Sequence, residues 1–250
     1  MTDTTAAPPV LRLDRLSWSV GAVHIVQEIE LSLEEGEFLA LIGPNGAGKT
    51  SLFNLISGVT RPTAGRVELD GAAVHTLPPH RRARRGIGRT FQSSSVFPTM
   101  TVAEHVELAA RAAGVRRVTA ADTARVLERV RLGHRAAAEA AGLSHGDKRK
   151  LELAMLLAPT VAGDGPRLML LDEPMAGVAS EETAELTDVM RALHREEGRT
   201  VLMVEHHMDI VLGLADRVAV MHHGTLLAVG TPAAVMADRA VQEAYVGEEL

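Results

Sequence analysis

The sequence predicts an α/β fold: a buried sheet with helices on its faces and a helical stretch set into its middle. Three observations point to it. Short apolar runs suited to strands covered on both faces recur at residues 38–42, 168–171, 201–204 and 218–221, with helical stretches between them. Across residues 101–157 such runs vanish, and Ala, Arg, Leu and Glu dominate at helix-like spacing. The first apolar run leads straight into a glycine-rich loop and then a helix-periodic stretch, the strand–loop–helix order of α/β units.

The bulk properties narrow what such a fold can do. The 250 residues are 46% hydrophobic, ample for a core. No cysteine is present, which excludes a disulfide framework, thiolate metal sites and thiol redox chemistry. No apolar run approaches the roughly 18 residues of a membrane span, and residues 1–10 lack the basic and apolar regions of a signal peptide. A soluble, cytoplasmic chain is expected, with any membrane role arising through a partner. The formal charge of −6 argues against nucleic acid as a partner. Residues 1–9 are small, polar and proline-ended, so a flexible tail should precede a strand beginning near Val10. From Thr225 the pattern reads strand, Gly-Thr-Pro turn, helix.

The loop after the first run is Gly43, Pro44, Asn45, Gly46, Ala47, Gly48, Lys49 and Thr50, followed by Ser51, and it fits GxxxxGK[ST] with the required strand before it. Leu52, Leu55, Ile56 and Val59 then keep the spacing of one helix face, with Gly58 able to end the helix. Phosphates would sit at that helix N-terminus, where backbone N–H groups and the helix dipole stabilise an anion and the glycines allow close approach. Lys49 would reach the β- and γ-phosphates of ATP, and Thr50 would ligate Mg²⁺. A glycine-rich turn with an accidental lysine is the bland alternative. It is disfavoured in a chain with only three lysines, Lys49, Lys148 and Lys150.

The run 168–171 ends in Asp172 and Glu173, at the strand end where ligands of open α/β sheets gather. This resembles a Walker B motif. Asp172 would hold Mg²⁺ through water, and Glu173 would polarise the attacking water as general base. The run 201–204 ends in Glu205 and His206, and His206 could hydrogen-bond a γ-phosphate oxygen.

A further stretch narrows the family. Leu143, Ser144, His145, Gly146, Asp147 and Lys148 open a helix whose face is Leu151, Ala154, Met155 and Ala158. Ser144 offers a hydroxyl and Gly146 an unhindered backbone N–H at a second anion-binding helix end, although an ordinary helix start capped by Ser144 would look the same. The stretch closely resembles the LSGGQ signature of ABC ATPases. The order phosphate loop, Gln92 in Arg-Thr-Phe-Gln, signature, Asp172-Glu173 and His206 is the ABC order, and the resemblance covers residues 10–250. It implies a single P-loop ABC ATPase domain over 1–250: a mixed sheet with flanking helices, an antiparallel β subdomain, and a helical subdomain at about 101–157 carrying the signature. It implies that Ser144, Gly146 and Asp147 meet the nucleotide of a second ATPase subunit, in a homodimer or a heterodimer. It also implies that Gln92 touches Mg²⁺ or the water, and that the loop 93–101 senses integral-membrane permease subunits at the inner face of the plasma membrane. Two departures bear on coupling: the signature reads Ser-His-Gly-Asp, and residues 176–179 (Ala-Gly-Val-Ala) lack the usual terminal aspartate of the D-loop.

The phrases GIGRTFQ, DEPMAG, VEHHM and the terminal AYVG are similar to those of the importer ATPases for branched-chain amino acids, urea and amides. That resemblance implies ATP hydrolysis coupled to solute uptake. The same motifs also serve soluble ABC ATPases that act as mechanical clamps; these usually carry paired ATPase units or long coiled coils. For the adenine ring, the family's aromatic position falls on Val20, and Trp18 on the same strand face either covers the base or packs within the small sheet. The basic run 80–85 (HRRARR) is expected to be helix-edge arginines paired with acids.

Overall fold

The computed structural model describes residues 8–92, 95–163 and 165–246. Most of the expected tail, Ser93 and Ser94 of the loop after Gln92, and Gly247 of the AYVG stretch lie outside the described residues. The chain opens with strands β1 (Leu11–Val20), β2 (Val23–Leu33) and β3 (Phe38–Ile42), and the glycine-rich loop then leads to helix α1 (Lys49–Ser57). Next come β4 (Ala64–Leu69), β5 (Ala72–Ala73), α2 (Pro79–Arg84) and β6 (Ile87–Arg89). Helices α3 (Val102–Ala112), α4 (Ala120–Arg129) and α5 (His145–Leu157) occupy the stretch where the sequence lacks strand patterns. The remainder alternates: β7 (Leu168–Asp172), α6 (Ser180–Arg195), β8 (Val201–Val204), α7 (Met208–Leu214), β9 (Arg217–His222), β10 (Thr225–Gly230), α8 (Pro232–Met236) and α9 (Arg239–Val246).

Two sheets result. One is antiparallel, in the order β2-β1-β4-β5; the other runs β10-β9-β3-β8-β7-β6, with every pair parallel except β10 on β9. The continuous apolar runs are explained by burial on both faces of this second sheet. Phe38, Ala40 and Ile42 face a core shared with α3 to α7, whereas Leu39 and Leu41 face one shared with α1 and the antiparallel sheet. Each of the large ones, Phe38, Leu39, Leu41 and Ile42, stabilises the fold by about 1.5–3 kcal/mol on burial. The neighbours β3, β8, β7 and β6 are parallel, so their carboxyl ends open on one edge, which brings distant sequence motifs together.

Helix termini are set locally. Thr101 with Glu104, and Thr119 with Asp122, form capping boxes that start α3 and α4. Gly58, at φ +84°, ends α1, so Val59 lies beyond the helix, 56% exposed, and does not extend its apolar face as the spacing suggests.

The basic run also differs from expectation. Arg82 is fully buried and pairs with no acid among the described residues; its guanidinium donates to the carbonyls of Leu55 and Ile56 at the end of α1, and to those of Leu77 and His75. The last carbonyls of a helix lack intrahelical donors and carry the negative end of its dipole, so an internal cation satisfies them. Burial pulls the Arg82 pKa down to about 10.

Candidate functional site

At the carboxyl end of β3, Gly43, Gly46 and Gly48 adopt φ of +146°, +81° and +102°, values a side chain resists. Packing adds a second reason at Gly43, where a Cβ would lie 2.1 Å from the Met221 carbonyl oxygen. Helix α1 starts with no side-chain cap and no acid in its first turn, which leaves its N-terminal N–H groups facing the loop. Lys49 is buried, its Nζ donating to the carbonyls of Pro44 at 2.8 Å and of Gly43. Asn45, Gly46 and Thr50 are exposed, Ser51 is half-buried, and Ala47 is buried, accepting the Gly224 N–H at 3.0 Å. The structure thus brings an uncapped helix end, a lysine and a hydroxyl to one place.

Asp172 ends β7. Its backbone N–H donates to Thr90 Oγ1 at 3.1 Å, and its Oδ2 accepts from Arg89 Nη2 at 2.9 Å. Glu173 follows with φ +47°, a conformation that costs about 1–2 kcal/mol outside glycine. It is held by its N–H to the Val204 carbonyl at 3.0 Å, which turns the side chain out of the sheet edge. Its Oε2 accepts from Gln92 Nε2 at 3.0 Å, and its Oε1 lies 3.0 Å from His206 Nε2. Two residues more than a hundred positions apart in sequence, Gln92 and His206, therefore converge on one carboxylate. The arrangement suits a base whose orientation is fixed from both sides.

The glycine loop with α1 and these groups lie at one edge of the sheet and are tied together by Arg89, which spans from Asp172 to Asn54 and Ser57 of α1. Among the described residues, no three His, Cys, Asp or Glu side chains form a metal cage. The donor set of Thr50 and Asp172 fits Mg²⁺, a hard ion that takes one or two protein oxygens alongside phosphate oxygens and water.

Ser144 caps α5, accepting the Asp147 N–H at 3.1 Å. The Gly146 N–H, expected to be unhindered, is engaged: Glu182, in the first turn of α6, accepts from it at 3.3 Å and also accepts from the Ser144 hydroxyl. A carboxylate from the chain itself satisfies this helix end, as helix N-termini favour. Asp147 is turned into an ion pair with Lys150 at 2.7 Å. Burial opposes the charge on Lys150, but Asp147 and Glu185 outweigh it and raise its pKa.

Arg149, on the same helix, donates to the carbonyls of Phe91 at 3.1 Å and Gln92 at 2.7 Å, which ties the signature helix to the Gln92 segment. Glu205 is buried and accepts the N–H groups of Met175, His206 and His207, fixing the loop that aims His206. Arg89, Arg149, Glu182 and Glu205 were missed as site residues, although each sits in or beside a motif. The usable signal was charge adjacent to apolar runs, since a charged group is buried only when paired.

On the antiparallel sheet, Trp18 is half-buried and packs against the second core, while Val20 at the strand end is 56% exposed. Leu16, Trp18 and Val20 follow one face from buried to open.

Comparison with known proteins gives a consistent picture. A family model described as ABC transporter matches residues 26–176, and one described as branched-chain amino acid ATP-binding cassette transporter matches residues 225–250. The chain is 36% identical to the high-affinity branched-chain amino acid transport ATP-binding protein LivG of Salmonella typhimurium, over 96% of this chain and 98% of that one. It is 35% identical to BraF of Pseudomonas aeruginosa, described in the same words, at the same coverage. Among solved structures, the ADP conformation of MJ1267, an ATP-binding cassette of an ABC transporter, superposes with a TM-score of 0.84 at 28% identity, covering 96% of this chain and 99% of that one.

Proposed function

This chain belongs to the ABC transporter family of ATP-binding subunits, ATPases coupled to transport, and from that membership we propose that it powers an importer of branched-chain amino acids. The observation that carries the mechanism is the Glu173 carboxylate bracketed by Gln92 and His206 beside Asp172. ATP lies with its β- and γ-phosphates over the first turn of α1, and Lys49 leaves its loop carbonyls to meet them. Thr50 and Asp172 would hold Mg²⁺, with Gln92 beside them. When bound, Mg²⁺ offsets charge on the phosphate oxygens. Glu173 takes the proton of the attacking water as its oxygen bonds to the γ-phosphorus and the bond to the β-phosphate oxygen breaks, giving ADP and phosphate. His206 donates to the γ-phosphate and steadies Glu173.

We read residues 1–250 as one ATPase domain, with the stretch 101–157 as its inserted helical part. A second copy, or a related chain, completes the site: its Ser144 and Gly146 turn to the phosphate, which takes over the contacts that Glu182 makes within one chain. Among the described residues no helix is long and apolar enough to cross a membrane. Attachment to the inner face of the plasma membrane therefore runs through permease subunits. An apolar groove of about 530 Å³ beside the Gln92 segment, lined by Phe91, Ala109, Met155 and Leu156, supports that contact. Co-expression with the membrane subunits of a branched-chain amino acid importer tests this reading. The complex should co-purify from detergent and, in vesicles, take up leucine only with ATP; a chain that stays in the soluble fraction and drives no uptake would overturn it.

Adenine lies against the end of β1. The only tryptophan, Trp18, reports on it. ATP should quench its emission, and Trp18→Ala should weaken ATP binding about tenfold, within the roughly 1–3 kcal/mol of a base–aromatic stack. Unchanged emission and affinity would assign the indole to the core and leave Val20 as the contact.

A further inference from the structure

We propose that Arg89 is a positioning residue for the Asp172 carboxylate on the metal side of the nucleotide site. The inference rests on the reading that Asp172 helps to hold Mg²⁺. Arg89 is the last residue of the edge strand β6, immediately before the Thr90–Phe91–Gln92 segment. Its side chain is 7% exposed and that of Asp172 is 4% exposed, so the pair is almost dry.

The guanidinium uses its fork across two elements. Nη2 donates to Asp172 Oδ2 at 2.9 Å, while Nη1 donates to Asn54 Oδ1 at 2.7 Å and to Ser57 Oγ at 2.9 Å, both on α1. Its planar group lies 5.6 Å from the centroid of Phe53 and 5.1 Å from that of Phe91. With Oδ2 committed, Oδ1 is the oxygen left to face the metal side. The Asp172 backbone is pinned independently, through Thr90 Oγ1. The strand therefore sets where the carboxylate starts, and Arg89 sets how it is turned.

Two features distinguish this from an ordinary buried ion pair. Arg89 Nε is buried without a hydrogen-bond partner among the described residues, a cost that persists only if the other nitrogens are needed where they are. The group also joins three parts of the site: α1, which carries the phosphate cradle; β7, which carries Asp172; and the segment that delivers Gln92. A lysine could supply the charge but not the fork or the flat stacking surface. Groups that orient a metal-binding carboxylate typically change metal affinity by about 10–100-fold when altered.

The test is equilibrium binding of a fluorescent ATP analogue to the full chain, once in EDTA and once across a Mg²⁺ titration, with thermal melting as a check on folding. For Arg89→Lys, affinity in EDTA should stay within about twofold of wild type, while the Mg²⁺ needed for half-maximal tightening should rise about tenfold. Asn54→Ala, which loosens the same fork without removing buried charge, should shift it in the same direction by less. Asp172→Asn is the control for the underlying reading: it should abolish the Mg²⁺ response. If Asp172→Asn responds like wild type, the assignment of Asp172 to the metal is wrong. If Asp172→Asn loses the response but Arg89→Lys and Asn54→Ala keep it unchanged or strengthened, Arg89 does not position the carboxylate. A parallel loss of EDTA affinity and melting temperature, with no separate Mg²⁺ effect, would make Arg89 a packing residue and overturn the proposal.

Discussion

Glu173→Gln is expected to slow ATP hydrolysis at least about 100-fold while leaving ATP binding in place, because an amide cannot take the proton of the attacking water. The substitution preserves shape in a site where shape is tightly set. Gln92 and His206 each approach one oxygen of the carboxylate at 3.0 Å. In the variant one of those oxygens becomes an NH₂ group, which a turned Gln92 amide or the other His206 tautomer can accept. Binding through Lys49 and the α1 terminus is untouched, so ATP should hold two chains together without being consumed. Phosphate release measures the first effect. Size-exclusion chromatography with ATP and Mg²⁺ measures the second, as a shift from monomer to dimer. Turnover equal to wild type would remove Glu173 from its assigned role and leave its strained backbone, φ +47°, without a catalytic reason.

Much of this site was legible in the sequence because its parts obey local rules. Residues 43–50 carry glycines where the backbone turns to positive φ, and the strand before them is apolar throughout because both its faces are covered. Asp172-Glu173 and Glu205-His206 stand at the ends of two such runs. Parallel pairing of β3, β8 and β7 then dictates that they meet. The helices between 101 and 157 were equally readable, and their Thr101 and Thr119 caps follow an ordinary pattern.

What the sequence concealed was partnership across distance. Arg82 looks like one more residue of a surface run, yet it lies beneath α1 and serves carbonyls that no sequence pattern advertises. Glu182 reads as one acid among several at the start of a helix, and only the packing of α6 against α5 delivers it to Ser144 and Gly146. Arg89 stands inside a recognised phrase, but the phrase does not say that its guanidinium bridges α1 and β7. Periodicity places elements, whereas charge pairing is decided by which elements the core brings side by side.

The engaged state of Gly146 sharpens the second large effect. Gly146→Asp is expected to abolish hydrolysis and ATP-driven dimerisation while a single chain still binds nucleotide, since the added carboxylate would face a partner's phosphate and such like-charge contacts cost several kcal/mol. In one chain the change is also felt locally. A Cβ on Gly146 would lie 2.9 Å from Glu182 Cβ and Cδ; turning the side chain relieves only the second, so the start of α6 must also give way and the Ser144 contact loosens. That disturbance stays at the α5–α6 junction, whereas Lys49 and the α1 terminus belong to another edge of the same chain. The clean test is therefore complementation. Lys49→Ala should bind ATP poorly and hydrolyse none, yet its Ser144 and Gly146 are whole. Mixed with Gly146→Asp, only a dimer of one variant with the other holds a whole composite site, one of its two, so activity should return above that of either variant alone, to at most about half of wild type in a two-fold symmetric pair. If the mixture hydrolyses no more ATP than either variant alone, the site is not shared between chains, and Ser144 and Gly146 revert to a helix cap held by Glu182.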